Sequence, residues 1–183
     1  MNLPASVEGH ERLRLFCALR LPDAALDVLS AWQSGHLQHG RLVARDQLHV
    51  TLAFLGHRPV GELPAIVGAL REAAAEAEPI LFVPERYRET RSVGMLVLSD
   101  LTHAATQLAS SLFARLEQEG VYEREARPWL PHVTVLRFRR RPRLRPPLPE
   151  LGRFAPSDAA AYLSRLRPSG AEYFVVESFV LGG

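Results

Sequence analysis

Two stretches of the sequence, LHVTLAFLG (residues 48–56) and PHVTVLRF (residues 131–138), contain the same four-residue pattern of histidine, apolar residue, threonine and apolar residue. We call residues 49–52 and 132–135 the two tetrads. Both stretches are rich in apolar and β-branched residues, which predicts a strand at each. Side chains alternate along a strand, so the histidine and threonine point one way and their apolar neighbours pack behind. The tetrads lie about half a chain apart in similar contexts, which suggests a duplication whose halves face each other across a cleft.

Each tetrad provides one imidazole beside one hydroxyl, so the chain holds two such pairs. Breaking a phosphodiester requires a base that activates the nucleophile and an acid that protonates the departing oxygen, and one imidazole cannot hold both protonation states at once. His49 and His132 together provide one of each. The hydroxyls of Thr51 and Thr134 can donate hydrogen bonds to phosphate oxygens. The pattern predicts phosphodiester chemistry that needs no metal and no cofactor.

Alternatives to this interpretation stay open. A single His-x-Thr sequence in a strand is common and by itself indicates only packing, so a structural protein with two packed tetrads is one alternative. A zinc site is disfavoured because it needs three or four convergent ligands and threonine is a poor one. Cys17 is the only cysteine, which excludes an intramolecular disulfide and a multi-thiolate metal site.

The composition is that of an ordinary globular protein. Of 183 residues, 47% are hydrophobic and 23% are charged, with a formal net charge of +2, which argues against disorder. The longest apolar run, PILFVP at residues 79–84, is too short to cross a bilayer. Residues 1–14 lack the apolar segment of a secretion signal. We therefore expect a cytoplasmic monomer without membrane contact.

All 22 cationic side chains are arginines. A GC-rich genome explains the replacement of lysine by arginine, but arginine is also the residue that binds phosphate bidentately. Arginines crowd residues 137–145, and the segment RRRPRLRPPLP (residues 139–149) holds too many prolines and charges for a core. It predicts an exposed loop that suits either an anionic partner or simple solvation.

The rest of the chain alternates strands and helices without a phosphate-binding glycine loop. Apolar runs predict strands at residues 13–19, 48–55, 79–83, 92–99, 132–138 and 173–181. Amphipathic periodicity predicts helices at about residues 22–34, 62–77 and 104–118. Residues 158–166 (DAAAYLSRL) are ambiguous, because the alanines favour a helix although the segment is short.

The paired His-x-Thr-x motifs resemble those of the two-histidine (2H) phosphoesterase superfamily, in particular its branch of RNA 2′,3′-cyclic phosphodiesterases, also called 2′-5′ RNA ligases. RLFCALRLP (residues 14–22) and residues 173–181 resemble the same family. The resemblance implies one bilobal domain over residues 1–183 with an α+β fold. Its two pseudo-symmetric lobes, each a mostly antiparallel sheet with outer helices, enclose a central cleft. It also implies that residues 158–166 form a strand.

The resemblance implies an activity as well: hydrolysis of RNA 2′,3′-cyclic phosphate ends to 2′-phosphates without a metal, with reversible 2′-5′ ligation of tRNA halves as a secondary reaction. By position, the catalytic quartet is His49, Thr51, His132 and Thr134. Family analogy makes His49 the proton donor and His132 the proton acceptor. The alternatives are hydrolysis of a small cyclic nucleotide or ADP-ribose cyclic phosphate, and a non-catalytic RNA-binding module.

Three further residues are candidates for substrate binding. Arg137 matches a family arginine that approaches the phosphate. It follows Thr134 by three residues, however, so a regular strand would aim it at the opposite face and only a bulge or strand end would bring it into the cleft. Phe16 and Trp129 are candidates for stacking on a base, although such aromatic side chains are more often part of a core.

Overall fold

A computed structural model describes residues 11–182. These residues form three α-helices, α1 (Asp23–His36), α2 (Leu63–Ala75) and α3 (Ala104–Gln118). They also form eight strands: β1 (Arg12–Arg20), β2 (Arg41–Leu42), β3 (His49–Pro59), β4 (Phe82–Glu89), β5 (Val93–Asp100), β6 (His132–Arg137), β7 (Asp158–Arg167) and β8 (Gly170–Phe179). The α+β class is therefore confirmed. Most of the segment considered above for a secretion signal lies outside the described residues.

The strands form one antiparallel sheet. Their order is β4-β5-β6-β3-β1-β7-β8, and β2 pairs with β6. One half of the sheet holds β4, β5, β6 and β2, and the other holds β3, β1, β7 and β8. Between β3 and β6 the paired residues are Val50 and Val133, the second residues of the two tetrads. The two lobes implied by the resemblance are thus halves of one curled sheet that meet where the tetrads lie.

Most predicted elements are confirmed, including β7, which the resemblance implied against its alanine content. Two strand predictions have wrong bounds. The strand expected at residues 79–83 starts only at Phe82 and runs to Glu89, because β4 is an edge strand and carries charged side chains rather than apolar ones. The strand expected to stop at Gly56 continues to Pro59, because Gly56 adopts a φ of +67° beside a bulge instead of ending the strand.

The helices cover one face of the sheet. Their apolar stripes join the sheet in a single core cluster that includes Leu29, Ile66, Leu70, Leu112 and Leu116. All five are at most 1% exposed, and burying such a side chain stabilises the fold by about 1.5–3 kcal/mol. Within residues 11–182 no helix is long and apolar enough to cross a membrane. The packing leaves the opposite face of the sheet for the polar residues of the tetrads.

A buried glutamine ties α1 to the strand that carries the second tetrad. Gln33 is 2% exposed, and its Nε2 donates to the carbonyl oxygens of Val43 at 3.0 Å and of Val135 at 2.7 Å. Val135 is also the extra residue where β6 bulges against β5. Since buried carbonyl groups need hydrogen-bond partners, Gln33 stabilises the bulged geometry of β6 beyond Thr134.

We propose that the described residues fold as one domain, because the sheet runs through both halves, and we expect a single cooperative unfolding transition. Gln33→Leu removes the donor to two carbonyls and should lower the free energy of unfolding by about 1–3 kcal/mol. Urea denaturation followed by circular dichroism measures the change. Gln38→Leu, at an exposed loop position, is the matched control, and an equal loss in both variants would contradict this role of Gln33.

Candidate active site

The two tetrads lie side by side at the centre of the sheet. Val50 pairs with Val133, and extending this antiparallel register by one residue in each direction sets His49 opposite Thr134 and Thr51 opposite His132. Side chains in opposite positions have Cβ atoms about 5 Å apart. Both valines are fully buried, whereas the four polar side chains are half-buried on the other face. The four predicted catalytic side chains therefore converge on one point of the sheet.

Backbone carbonyls two residues upstream orient both imidazoles. The Nδ1–H of His49 donates to the carbonyl oxygen of Gln47 at 2.7 Å, and the Nδ1–H of His132 donates to that of Leu130 at 2.8 Å. A carbonyl oxygen only accepts, so the neutral ring keeps its proton on Nδ1 and Nε2 is the atom that exchanges a proton. In His49 this Nε2 accepts a hydrogen bond from the Thr51 hydroxyl at 3.1 Å. Both halves of the site thus use the same ring nitrogen.

A β-bulge follows each tetrad threonine at the same position. The extra residue is Val135 in β6 and Leu52 in β3. Each bulge places two successive buried residues after the threonine and turns the third residue to the face of the histidines. That third residue is Arg137 in β6 and Phe54 in β3. The bulge that Arg137 needs to reach the cleft is therefore present.

Aromatic rings surround His49. Its ring stacks on Phe16 at 5.0 Å between centroids, and Tyr173 and Tyr162 lie at 5.7 and 6.1 Å. Phe16 is 4% exposed and also packs against Tyr162 at 4.8 Å and Tyr173 at 5.0 Å, so its ring supports His49 and offers little surface to a base. Trp129 is half-buried and donates its indole N–H to a carbonyl oxygen of the first tetrad at 3.0 Å. The two tyrosines were not found from the sequence, because they come from distant strands.

This environment disfavours a charged imidazole. Burial, together with electrostatic repulsion from His132 and Arg137, lowers the pKa of His49 from 6.5 to about 4, although its contact with the Gln47 carbonyl opposes the change. In the ligand-free protein His49 is therefore neutral at pH 7. The electrostatic effects of His132 and Arg137 on His49 also indicate that the second tetrad and Arg137 lie close to the first tetrad.

A cavity of about 280 Å³ opens beside Arg137. Arg41 pairs directly with Arg137 across β2 and β6, and its guanidinium donates to the carbonyl oxygen of Ser169 at 2.7 Å. Gly170, with a φ of +131°, leaves the space that this guanidinium occupies. Like charges in directly opposite positions repel, so the pair attracts an anion. Sequence reasoning missed Arg41, because only strand pairing brings it next to Arg137.

The chemical abilities of the site follow from these groups. Two imidazole Nε2 atoms can each move one proton, two hydroxyls lie beside them, and two guanidiniums stand at one end. Within residues 11–182, no group of three or more His, Cys, Asp or Glu side chains is placed to hold a metal ion. The site is suited to general acid–base chemistry on a phosphate.

Comparisons with known proteins agree with this geometry. The family model described as the 2′-5′ RNA ligase superfamily matches residues 21–169, which include both tetrads. An RNA 2′,3′-cyclic phosphodiesterase of Escherichia coli is 32% identical over 133 residues, covering 69% of this chain and 73% of that protein. A protein of the same name from Thermus thermophilus is 32% identical over 188 residues, covering 93% of this chain and 91% of that protein.

A solved structure extends the likeness to the whole fold. The crystal structure of TT0787 of Thermus thermophilus matches with a TM-score of 0.80 at 27% identity, covering 93% of this chain and 99% of that one. The family match spans most of the chain, and the curated relatives align across more than two thirds of it. The chain belongs to the 2′-5′ RNA ligase superfamily.

Proposed function

We propose that the protein hydrolyses the 2′,3′-cyclic phosphate at the end of an RNA to a 2′-phosphate, with no metal and no cofactor. The observation that carries the proposal is the pairing of Val50 with Val133, which sets two His-Thr pairs around one point of the sheet. The names of the two curated relatives support the same substrate and reaction.

In the proposed reaction a water oxygen bonds to phosphorus and the bond between phosphorus and O3′ breaks. His132 accepts the proton of the water at Nε2, and His49 donates a proton from Nε2 to O3′. The product carries a 2′-phosphate and a free 3′-hydroxyl. Thr51 and Thr134 donate hydrogen bonds to non-bridging oxygens, whose negative charge grows in the transition state. A 5′-hydroxyl in place of water gives a 2′-5′ linkage by the same proton transfers, which is the ligase reaction.

To act as the proton donor, His49 must carry a proton on Nε2, yet its ring is neutral at pH 7 in the ligand-free protein. The charge of Arg137 helps to keep its pKa low, and a bound phosphate compensates that charge. We therefore propose that substrate binding raises the pKa of His49 and protonates its Nε2. Since the protonated Nε2 no longer accepts a hydrogen bond, the Thr51 hydroxyl becomes free to donate to the phosphate.

Arg137 binds the reacting phosphate in this proposal. Its support is the bulge in β6, which turns Arg137 to the face of the histidines, and its charge effect on His49. Arg41, directly opposite Arg137, adds a second guanidinium for the same anion. Of the two aromatic candidates, the half-buried Trp129 is the one proposed to stack on a base, whereas Phe16 is buried against His49.

The substrate in this proposal is an RNA end, tRNA fragments included, and the protein acts as a cytoplasmic monomer. The arginine-rich segment at residues 139–149 favours a polynucleotide over a cyclic nucleotide or ADP-ribose cyclic phosphate. The small substrates contain the same reacting group, so relative turnover of an RNA oligomer and of a mononucleotide decides between them.

His49→Ala and His132→Ala should each lower kcat by about 10²–10⁴-fold, because each removes one proton transfer. The measurement is turnover of an RNA ending in a 2′,3′-cyclic phosphate, in the presence of a chelator, with end-group analysis expected to give a 2′-phosphate. His57→Ala, at an exposed position in β3, is the control. Retained activity in the double variant, or RNA binding without any product from the unmodified protein, would contradict the proposal.

The titration of His49 can be followed by NMR of its ring nitrogens. We expect a pKa of about 4 in the free protein, so that the ring is charged below and neutral above that pH. Arg137→Gln should raise this pKa, because it removes a nearby positive charge. A bound nucleoside 2′-monophosphate should raise it as well, and an unchanged value on binding would exclude the proposed protonation by substrate.

A substrate with sulfur in place of O3′ separates the two histidines, because a thiolate leaves without receiving a proton. If His49 is the donor, His49→Ala should regain most of its activity on this substrate. His132→Ala should stay inactive on both substrates, since water still has to be deprotonated. Rescue of His132→Ala but not of His49→Ala would instead make His132 the proton donor and His49 the proton acceptor.

A further inference from the structure

A second basic surface lies at the edge of the sheet, outside the two-histidine cleft. The end of β4 and the loop at residues 139–149 enclose a cavity of about 470 Å³. We call it the arginine cavity. Its walls include Tyr87, Arg88, Glu89, Arg141, Arg143 and Arg145.

A buried carboxylate fixes the loop that forms this cavity. Glu89 is 7% exposed and accepts hydrogen bonds from the main-chain N–H groups of Arg143 and Leu144, both at 2.8 Å. The Nε of Arg141 and the hydroxyl of Tyr87 donate to it as well, each at 3.2 Å. Arg143 has a φ of +59°, a conformation rare for such a residue, which the contacts with Glu89 hold in place. The arginines therefore extend from an ordered backbone.

Three guanidiniums of the cavity have no acidic partner. Within residues 11–182, Arg88, Arg143 and Arg145 form no ion pair, and the single buried carboxylate, Glu89, is paired with Arg141. Several arginines elsewhere, such as Arg20, Arg58 and Arg115, pair with carboxylates, whereas these three lie together at one cavity. The arginine cavity thus holds three uncompensated positive charges, which suits a polyanion.

The sheet register connects the arginine cavity with the cleft. Arg88 pairs with Met95, and Met95 pairs with Thr134. The three residues form one row on the face that carries the histidines, whereas Tyr87 and Glu89, on either side of Arg88, point to the face of the helices. Since neighbouring strands are about 4.8 Å apart, the Cα atoms of Arg88 and Thr134 lie about 10 Å apart. An RNA strand that leaves the cleft along this row reaches Arg88 at the edge of the sheet and, around that edge, the other arginines of the cavity, whereas a lone cyclic mononucleotide has no further phosphate to place there.

We propose that the arginine cavity binds the phosphates of the RNA strand on the 5′ side of the reacting cyclic phosphate. The inference rests on the proposed function, since it takes the RNA end to lie in the cleft. Guanidiniums bind phosphate bidentately, and contacts to phosphate carry no sequence information, so the cavity adds affinity for RNA of any sequence. It thereby makes an RNA end a better substrate than a small cyclic phosphate.

The test compares two variants that each lose two charges. Arg88→Gln with Arg145→Gln removes guanidiniums of the cavity, and Arg71→Gln with Arg153→Gln is the control, at exposed positions in α2 and in the coil before β7. Fluorescence anisotropy measures binding of a single-stranded RNA with an unreactive 3′-hydroxyl at several salt concentrations. Turnover is measured on an RNA oligomer and on a mononucleotide, both with 2′,3′-cyclic phosphates.

We expect the cavity variant to bind the RNA at least about tenfold more weakly than the control, with the slope of log K against log salt reduced by roughly 1.4, since each lost contact to single-stranded RNA removes about 0.7. Its kcat/KM should fall on the RNA oligomer and change less than about twofold on the mononucleotide. Equal binding by the two variants would overturn the inference. Absence of turnover of either substrate by the unmodified protein would overturn the proposed function. The binding measurement would still show whether the arginine cavity binds RNA.

Discussion

The candidate site depends on the pairing of two buried valines. Val50 and Val133 join the two halves of the sheet, and this pairing places each tetrad histidine opposite the threonine of the other tetrad. Neighbouring contacts support the register, because β2 and the N–H of Val43 also bond to β6. A slip of one residue in either strand would turn its histidine and threonine towards the helices. Packing of the apolar face therefore also sets the polar geometry on the other face.

The two halves share a backbone arrangement but differ in chemistry. The same bulge follows both tetrads, yet it presents Arg137 in one half and Phe54 in the other. Phe54 lies under the guanidinium of Arg14 at 4.7 Å, and His49 lies among aromatic rings. The half with β6 carries Arg137 and its cross-strand partner Arg41. In the proposed reaction the phosphate thus lies between the aromatic rings around His49 on one side and the guanidiniums of Arg41 and Arg137 on the other.

The positive charges have two effects that are linked. The guanidinium of Arg137 attracts phosphate and also lowers the pKa of His49. A phosphate that binds to Arg137 cancels the second effect, so binding and protonation of His49 reinforce each other. Burial among the aromatic rings strengthens this coupling, because charges interact more strongly where water is excluded. In the proposed reaction the acid is therefore produced where the phosphate is bound, whereas the ring of His49 is neutral in the free site.

The sequence by itself determined the strands and helices, the repeated His-Thr pairs and the chemistry that they suit, because apolar periodicity and residue type are local properties. It did not determine the extent of β4, whose edge position permits charged residues, or the bulge that turns Arg137 into the cleft. Arg41, the tyrosines around His49 and the anchoring of the arginine cavity by Glu89 join segments far apart in the chain. Only tertiary structure decides such contacts, because they follow from strand register and close packing, which no single segment encodes.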